Sequence, residues 1–491
     1  MMALDRGTSV FALFFLCAAT AMVSPAQSFK TLVNFNGTDG EHPFAPLIQG
    51  GDGNLYGTTA GDSISNGGTV FKTTTNGGLK TLHSFGGPDG FEPYGGLVQA
   101  ADGNFYGTTY SGGASGNGTV FRITPTGTLV VLHSFCQTDC SDGANPVPGL
   151  TLGADGQFYG TTSVGGSGGM GTVFRMTPSG VITTLHSFDG SDGATPEAGL
   201  IQTPDGSFYG TTYNGGNDNG PCLSFKTVGC GTLFRVTPDG GFTTLYFFCS
   251  QTYCADGANP VAVLTEASDG ALYGTTSAGG ITFYCQTGCG TIFKVTPGAA
   301  LTTLYTFCSQ SGCTDGMLPT GTLVRATDGN FYGTTVGGGG DANCSSYGEG
   351  CGTVFKVTST GQLTTLVLFN FNTGGAPWAG LLQDTNSIFY GTTMSGTGTS
   401  SLGTIFGLSE GLRPFIETQP TFGKVGANVT LLGTNLTGAK SVTFNGTAAQ
   451  FTVVSKSEIK TTVPAGATTG KVEVVAPQGT LVSNVDFRVL P

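Results

Sequence analysis

The chain has 491 residues, of which 85 are glycine and only 10% are charged, against usual shares of about 7% and about 25%. With 38% apolar residues it is too hydrophobic and too weakly charged for generic disorder. Its glycines keep no three-residue period, which excludes collagen, and glycine costs about 1 kcal/mol per helical site, which argues against a helix-rich enzyme. Thirty acidic and eighteen basic residues leave a net charge of −12, a poor basis for displacing counterions from nucleic acid.

The N-terminus reads as a signal peptide over residues 1–26. Arg6 gives a weak positive region offset by Asp5, Val10 to Val23 is apolar, and Ser24-Pro25-Ala26 suits cleavage. The apolar stretch is too short for a convincing membrane span. Cys17 follows Phe14-Phe15-Leu16, without the small residue expected before a lipoprotein cysteine. An exported protein is expected, extracellular, at the cell surface or periplasmic.

From residue 27 to 410 one repeat dominates. Tyr-Gly-Thr-Thr begins at Tyr56, Tyr106, Tyr159, Tyr209, Tyr273, Tyr332 and Tyr390. Each copy is followed by Gly-Thr-(Val/Leu/Ile)-Phe and then by a segment like Leu-Thr-Thr-Leu-His-Ser-Phe. A short apolar piece such as Gly96-Leu97-Val98-Gln99, followed by Asp-Gly, precedes each Tyr-Gly-Thr-Thr. Four such pieces predict four short strands, with Asp-Gly suited to the hairpin between the first two. Four-stranded units at this period predict propeller blades. The chain begins the array with a fourth-type strand, Phe29 to Phe35, and leaves it after a third-type strand, Gly403 to Leu408. A seven-bladed β-propeller closed by its N-terminal strand follows, which also removes exposed sheet edges.

The repeated text, such as Asp102-Gly-Asn-Phe-Tyr-Gly-Thr-Thr through Gly118-Thr-Val-Phe-Arg to Leu132-His-Ser-Phe, resembles the gloeo/verrucomicrobial (GloVer) repeat of exported bacterial proteins. The resemblance implies a propeller-like array and no established activity. Repeat seven departs from the pattern, with Asp384-Thr-Asn-Ser and Asn372-Thr-Gly-Gly where others have Asp-Gly.

Twelve cysteines besides Cys17 fall into local pairs: Cys136/Cys140, Cys222/Cys230, Cys249/Cys254, Cys285/Cys289, Cys308/Cys313 and Cys344/Cys351. An even count in an exported chain predicts disulfides. Zinc is disfavoured, because the pairs lie in glycine-rich loops and none is spaced CxxC. All six pairs fall in second-to-third-strand loops or blade-to-blade loops, which emerge at one end of an antiparallel blade. They therefore mark one face, mostly over blades four to six.

Residues 411–491 change composition, with seven basic and four acidic residues after Leu412 and no cysteine. Gly426-Ala-Asn-Val-Thr-Leu-Leu-Gly-Thr-Asn-Leu, Ser441-Val-Thr-Phe-Asn-Gly and Thr462-Val-Pro-Ala-Gly-Ala-Thr-Thr-Gly look like an IPT/TIG domain, an immunoglobulin-like β-sandwich. Alternating Val472, Val474 and Leu481, Val485 fit sandwich strands. The fold class expected is all-β throughout.

No catalytic motif stands out, and no catalytic residue is assigned. His83, His133 and His186 share a fourth-strand slot that elsewhere holds Asn34, Tyr246, Tyr305 or Val367, which favours packing over chemistry. A second aspartate series, Asp39, Asp89, Asp142, Asp192, Asp256 and Asp315, precedes a proline in the blade-to-blade loops. These are weak candidates for a metal site; calcium is the one ion they suit, although it needs several oxygens at one point, and an Asx turn is the simpler role. No other cofactor is expected. Asp256, Asp315, Asp341, Glu349 and Trp378, the single tryptophan, are the ligand-binding candidates. Together these features predict a secreted, monomeric, non-enzymatic binding protein that meets a protein or glycan on the disulfide-bearing face, with no nucleic-acid partner. The alternative is an exported polysaccharide lyase or glycosidase on a propeller scaffold, which would need a converging pair of carboxylates.

Overall fold

The structure is a computed structural model that describes residues 27–62, 66–216, 229–280, 285, 287–340, 350–397 and 402–490. The expected signal peptide with Cys17, the half-cystines Cys222 and Cys344, and the candidates Asp341 and Glu349 lie outside the described residues.

Every sheet of the array has one plan. In the first, β2 (Ile48–Gln49), β3 (Leu55–Thr59), β4 (Thr69–Thr73) and β5 (Leu79–Ser84) pair antiparallel in chain order. The Asp52-Gly53 hairpin joins the first pair; Asp52 accepts hydrogen bonds from the Asn54 N–H and, at 2.8 Å, from the Tyr56 hydroxyl. The plan recurs between Val98 and Ser134, Thr151 and Ser187, Ile201 and Phe247, Thr265 and Thr306, and Val324 and Leu368. The seventh sheet is composite: β26 (Leu382–Gln383), β27 (Phe389–Thr393) and β28 (Thr404–Ser409) are completed by β1 (Ser28–Asn34), which runs antiparallel to β28. These four-stranded sheets resemble propeller blades.

Burial on both faces explains the repeated words. The second strand, Leu55–Thr59, is buried at every residue, as a strand packed between two neighbours must be. Its Gly57 lets the next strand close in, since a Cβ there would stand 2.7 Å from Phe71 Cζ and 2.8 Å from Leu47 Cδ2. The last threonine, Thr59, exchanges a 2.8 Å hydrogen bond with Thr69 across the pair, and the same bond recurs down to Thr393 and Thr404. The tyrosine ring stacks on the next sheet, as Tyr159 does on Phe208 with centroids 3.8 Å apart. The repeated threonines and phenylalanines are thus core and ladder groups.

Each gap between neighbouring sheets holds one apolar cluster. Tyr159, Val173 and Phe188 of the third sheet meet Leu200, Phe208 and Phe234 of the fourth. The series returns to its start: Val33, Phe35, Tyr390 and Ile405 of the last sheet pack on Leu47, Leu55 and Phe71 of the first.

The tail is a separate pair of sheets. One orders β29 (Glu417–Gln419), β31 (Asn428–Leu432), β35 (Glu458–Thr462) and β34 (Phe451–Val453). The other orders β33 (Thr447–Ala449), β32 (Ser441–Phe444), β36 (Val472–Ala476) and β37 (Gly479–Val482). Val429, Leu431 and Ile459 from the first and Val442, Phe444, Val472 and Val474 from the second share one core. The tail rests on the hairpins between first and second strands. Ser455 and Ser457 both donate to the Gly51 carbonyl, Phe415 N–H donates to Thr385 O, and Arg488 pairs with Glu266 at 2.9 Å. Contacts on the first, fifth and seventh sheets place it across the axis at that end.

No helix among the described residues is long and apolar enough to cross a membrane, which says nothing of strands.

Candidate functional site

A strap carries the chain from each blade-to-blade loop into the first strand, and all seven straps share a geometry that the repeated words hide. The residue before the strap proline is His42, Glu92, Asn145, Thr195, Asn259, Leu318 or Ala376, and each has φ between 52° and 56°. Non-glycine residues seldom adopt this left-handed conformation, and surrounding bonds must hold it there. At Glu92 the N–H donates to Gly67 O of the preceding sheet, and its carbonyl accepts from Tyr110 N–H of its own sheet. The pattern repeats at every strap. On the last three, the accepting carbonyls are those of Cys230, Cys289 and Cys351, each a half-cystine. The first threonine of Tyr-Gly-Thr-Thr braces the next strap: Thr108 donates to Pro148 O, and Thr392 reaches round to Pro43 O.

The kink delivers the residue after the proline to the axis. These residues are Phe44, Tyr94, Val147, Glu197, Val261, Thr320 and Trp378, and all seven line one central cavity of about 720 Å³, within the range of small-molecule sites. The cavity lies at the strap end of the first strands, the end that carries the disulfide loops and is opposite the tail.

Its wall is strongly asymmetric. Trp378, Phe44, Tyr94 and Tyr110 form an arc of edge-on contacts with successive centroids 5.9, 5.4 and 5.5 Å apart. The Trp378 indole N–H is buried with no hydrogen-bond partner among the described residues. Val147, Val261, Val263, Leu150 and Leu200 make most of the remaining wall apolar. Glu197 is the single charged residue of the lining among the described residues. Removal from water pushes its carboxyl up to about 7, and it has no hydrogen bond or ion pair among the described residues. Burial also raises the Tyr110 and Tyr213 hydroxyls, helped by Glu92 and then Glu197 at Tyr110 and by Glu197 at Tyr213.

The other described sequence candidates do not meet at this cavity. Asp256 and Asp315 are fully buried, and each carboxylate is saturated by its own loop. Asp256 accepts from the Tyr246 hydroxyl at 2.8 Å, from the Ser250 N–H and hydroxyl, and from Gln251 N–H; Asp315 does the same with Tyr305, Ser309 and Gln310. Asp89, Asp142 and Asp192 each accept a loop N–H and bond a histidine of the fourth-strand slot, His83, His133 and His186, at 2.6 to 2.8 Å. Asp39 caps the Asn36 N–H. Apart from Asp39, each carboxylate ties one strand to one turn, and the series does not converge. Among the described residues the one grouping of three metal-ligating side chains is Cys230, Cys249 and Cys254, all of them disulfide-bonded.

Four disulfides join the expected pairs Cys136–Cys140, Cys249–Cys254, Cys285–Cys289 and Cys308–Cys313. Such bonds fit an oxidising compartment. Sequence reasoning missed Phe44, Tyr94, Tyr110 and Glu197. The available signal was the one slot, between the strap proline and the following Leu, whose chemistry changes from repeat to repeat.

Sheet plan and axial cavity together define a propeller-type repeat protein. More specifically, the chain belongs to the Gloeobacter/Verrucomicrobia repeat family, which matches residues 18–223 and 222–454. No curated protein matches the chain. Among solved structures it is similar to virginiamycin B lyase from Staphylococcus aureus, at 14% identity and a TM-score of 0.50 over 78% of this chain and 99% of that one. It is also similar to an extracellular domain described as part of a hybrid two-component system of B. thetaiotaomicron (12% identity, TM-score 0.49, 84% of this chain and 46% of that one). A gluconolactonase from Xanthomonas campestris shows 16% identity and a TM-score of 0.38 over 75% of this chain and 98% of that one. At such identity the likeness is one of fold.

Proposed function

We propose that the chain is a secreted, non-enzymatic binding protein: a seven-bladed propeller closed by its N-terminal strand, with an IPT/TIG-type immunoglobulin-like tail as spacer or contact module. Its ligand enters on the disulfide-bearing face and sits in the axial cavity. One observation carries this reading. A slot whose chemistry changes from repeat to repeat is the slot that all seven straps deliver to a single cavity. Disulfides beside the last three straps fit a site that must keep its shape outside the cell. Among the described residues the lining holds one carboxyl and no histidine, lysine or arginine, which favours binding over the paired-carboxylate chemistry of a glycosidase.

Trp378 makes the test direct, since the only tryptophan stands in the cavity wall. Glycan and small-molecule libraries titrated into the protein should contain compounds that shift its emission saturably and raise the melting temperature. Cleavage of a polysaccharide panel, abolished by Glu197→Gln, would overturn the non-enzymatic reading.

A further inference from the structure

We propose that the axial cavity takes an organic cation with an apolar body, an alkyl- or arylammonium compound whose charge meets Glu197 and whose body packs on the arc of Trp378, Phe44 and Tyr94. This rests on the cavity being the ligand site.

Charge and hydrogen-bond capacity decide the class. Among the described residues the only charged one in the lining is an acid, and it lacks any partner there. A carboxylate taken from water without a partner is costly, and a bound cation supplies what it lacks. An anion would be repelled by Glu197 and by a net charge of −12.

A neutral sugar fits less well, because its many hydroxyls each need a partner once buried. Three of the polar side chains of the wall are already committed. Thr320 donates to Trp378 O, Thr151 donates to Leu200 O, and the Tyr94 hydroxyl donates to Glu92. Glu197 and the aromatic arc stand on opposite sides of the ring, on the fourth strap against the seventh, first and second. A ligand that satisfies both must therefore carry its charge at one end and its apolar body at the other. The raised Glu197 carboxyl agrees with an acid waiting for a counter-charge.

The experiment titrates four probes into the protein at pH 8 and follows Trp378 emission: benzyltrimethylammonium, benzyl alcohol, phenylacetate and methyl glucoside. Benzyltrimethylammonium should bind saturably and at least tenfold more tightly than benzyl alcohol, with no response to the other two. Glu197→Gln should weaken the cation tenfold or more and leave benzyl alcohol within twofold. Wild-type affinity for the cation should also fall as pH drops below about 7, a readout that needs no variant. Equal or tighter binding of benzyl alcohol, phenylacetate or the glucoside overturns the cation assignment while leaving the cavity as a site. An unchanged cation affinity in Glu197→Gln does the same. Silence from all four probes overturns the cavity itself as a small-molecule site.

Discussion

Asp384 offers the sharpest test of how the array meets its tail. It sits on the seventh hairpin at a position held by Gly50, Ala100, Gly153, Thr203, Ala267 and Ala326 in the other sheets. Its side chain is 3% exposed, one carboxylate oxygen has no partner, and Glu417 of the tail lies close enough to repel it. Burial first, then Glu417, pushes this carboxyl from an ordinary 3.8 to about 7. That rise corresponds to roughly 4 kcal/mol against the charged form at neutral pH. Because the folded value is raised, the group's contribution is fully present below about pH 4 and is lost as pH climbs through about 7. Asp384→Ala removes this charge but keeps the backbone bonds from Asp384 N to Ile388 O and from Ser387 N to Asp384 O. It gives up one 3.3 Å bond from Asn386 N–H, worth about 1 kcal/mol. The variant should therefore be about 2–3 kcal/mol more stable than wild type at pH 8 and slightly less stable at pH 4. Urea unfolding across that pH range measures it, provided the slope stays constant. A variant less stable than wild type at pH 8, or one with the same pH profile, would refute the reasoning.

Three further outcomes follow from other parts of the molecule. Glu197→Gln should raise the melting temperature at pH 8 and lose that advantage below about pH 4.5, because desolvation raises the wild-type carboxyl; scanning calorimetry at the two pH values reads it. Asp315→Ala removes a fully buried carboxylate that accepts from four donors of a partly exposed loop and should cost about 2–3 kcal/mol, yet leave ligand-induced changes in Trp378 emission intact in the folded fraction. Reducing the disulfides should move Trp378 emission before global unfolding, since the Ala376 kink that precedes it hangs on the Cys351 carbonyl; coincident changes in emission and far-ultraviolet circular dichroism would contradict that link.

The sheets were legible because their causes recur. A glycine that admits a phenylalanine ring and a threonine pair that closes a strand end act identically in every sheet, so the sequence repeats them. The aspartate loops were half legible, as two series that the structure joins into one device. Where Asp-Gly becomes Thr373-Gly374, Thr373 still accepts the turn N–H from Asn370, but it cannot also hold a fourth-strand partner. There the histidine or tyrosine slot holds Val367. That covariation within one chain marks His83, His133 and His186 as structural partners of Asp89, Asp142 and Asp192.

The cavity was illegible for the opposite reason. Matching repeats by shared words sets aside the residues that differ, and the strap slot differs almost every time. Trp378 drew notice only as the single tryptophan, while Phe44, Tyr94 and Glu197 in the same slot did not. Repeat seven shows the same logic at the other end of the axis. Asn386 and Ser387 occupy the places of Asp and Gly, and Ser387 accepts a φ of 74°. Its hydroxyl donates to the Leu412 carbonyl at 2.7 Å, a bond that glycine could not make. The scaffold tolerates deviation from its repeat where a contact unique to that sheet replaces what the common residue supplied. By that reasoning an unrepeated residue in a repeat protein is where specific contacts should be sought, at the tail junction for Asp384 and Ser387 and at the axis for Glu197 and Trp378.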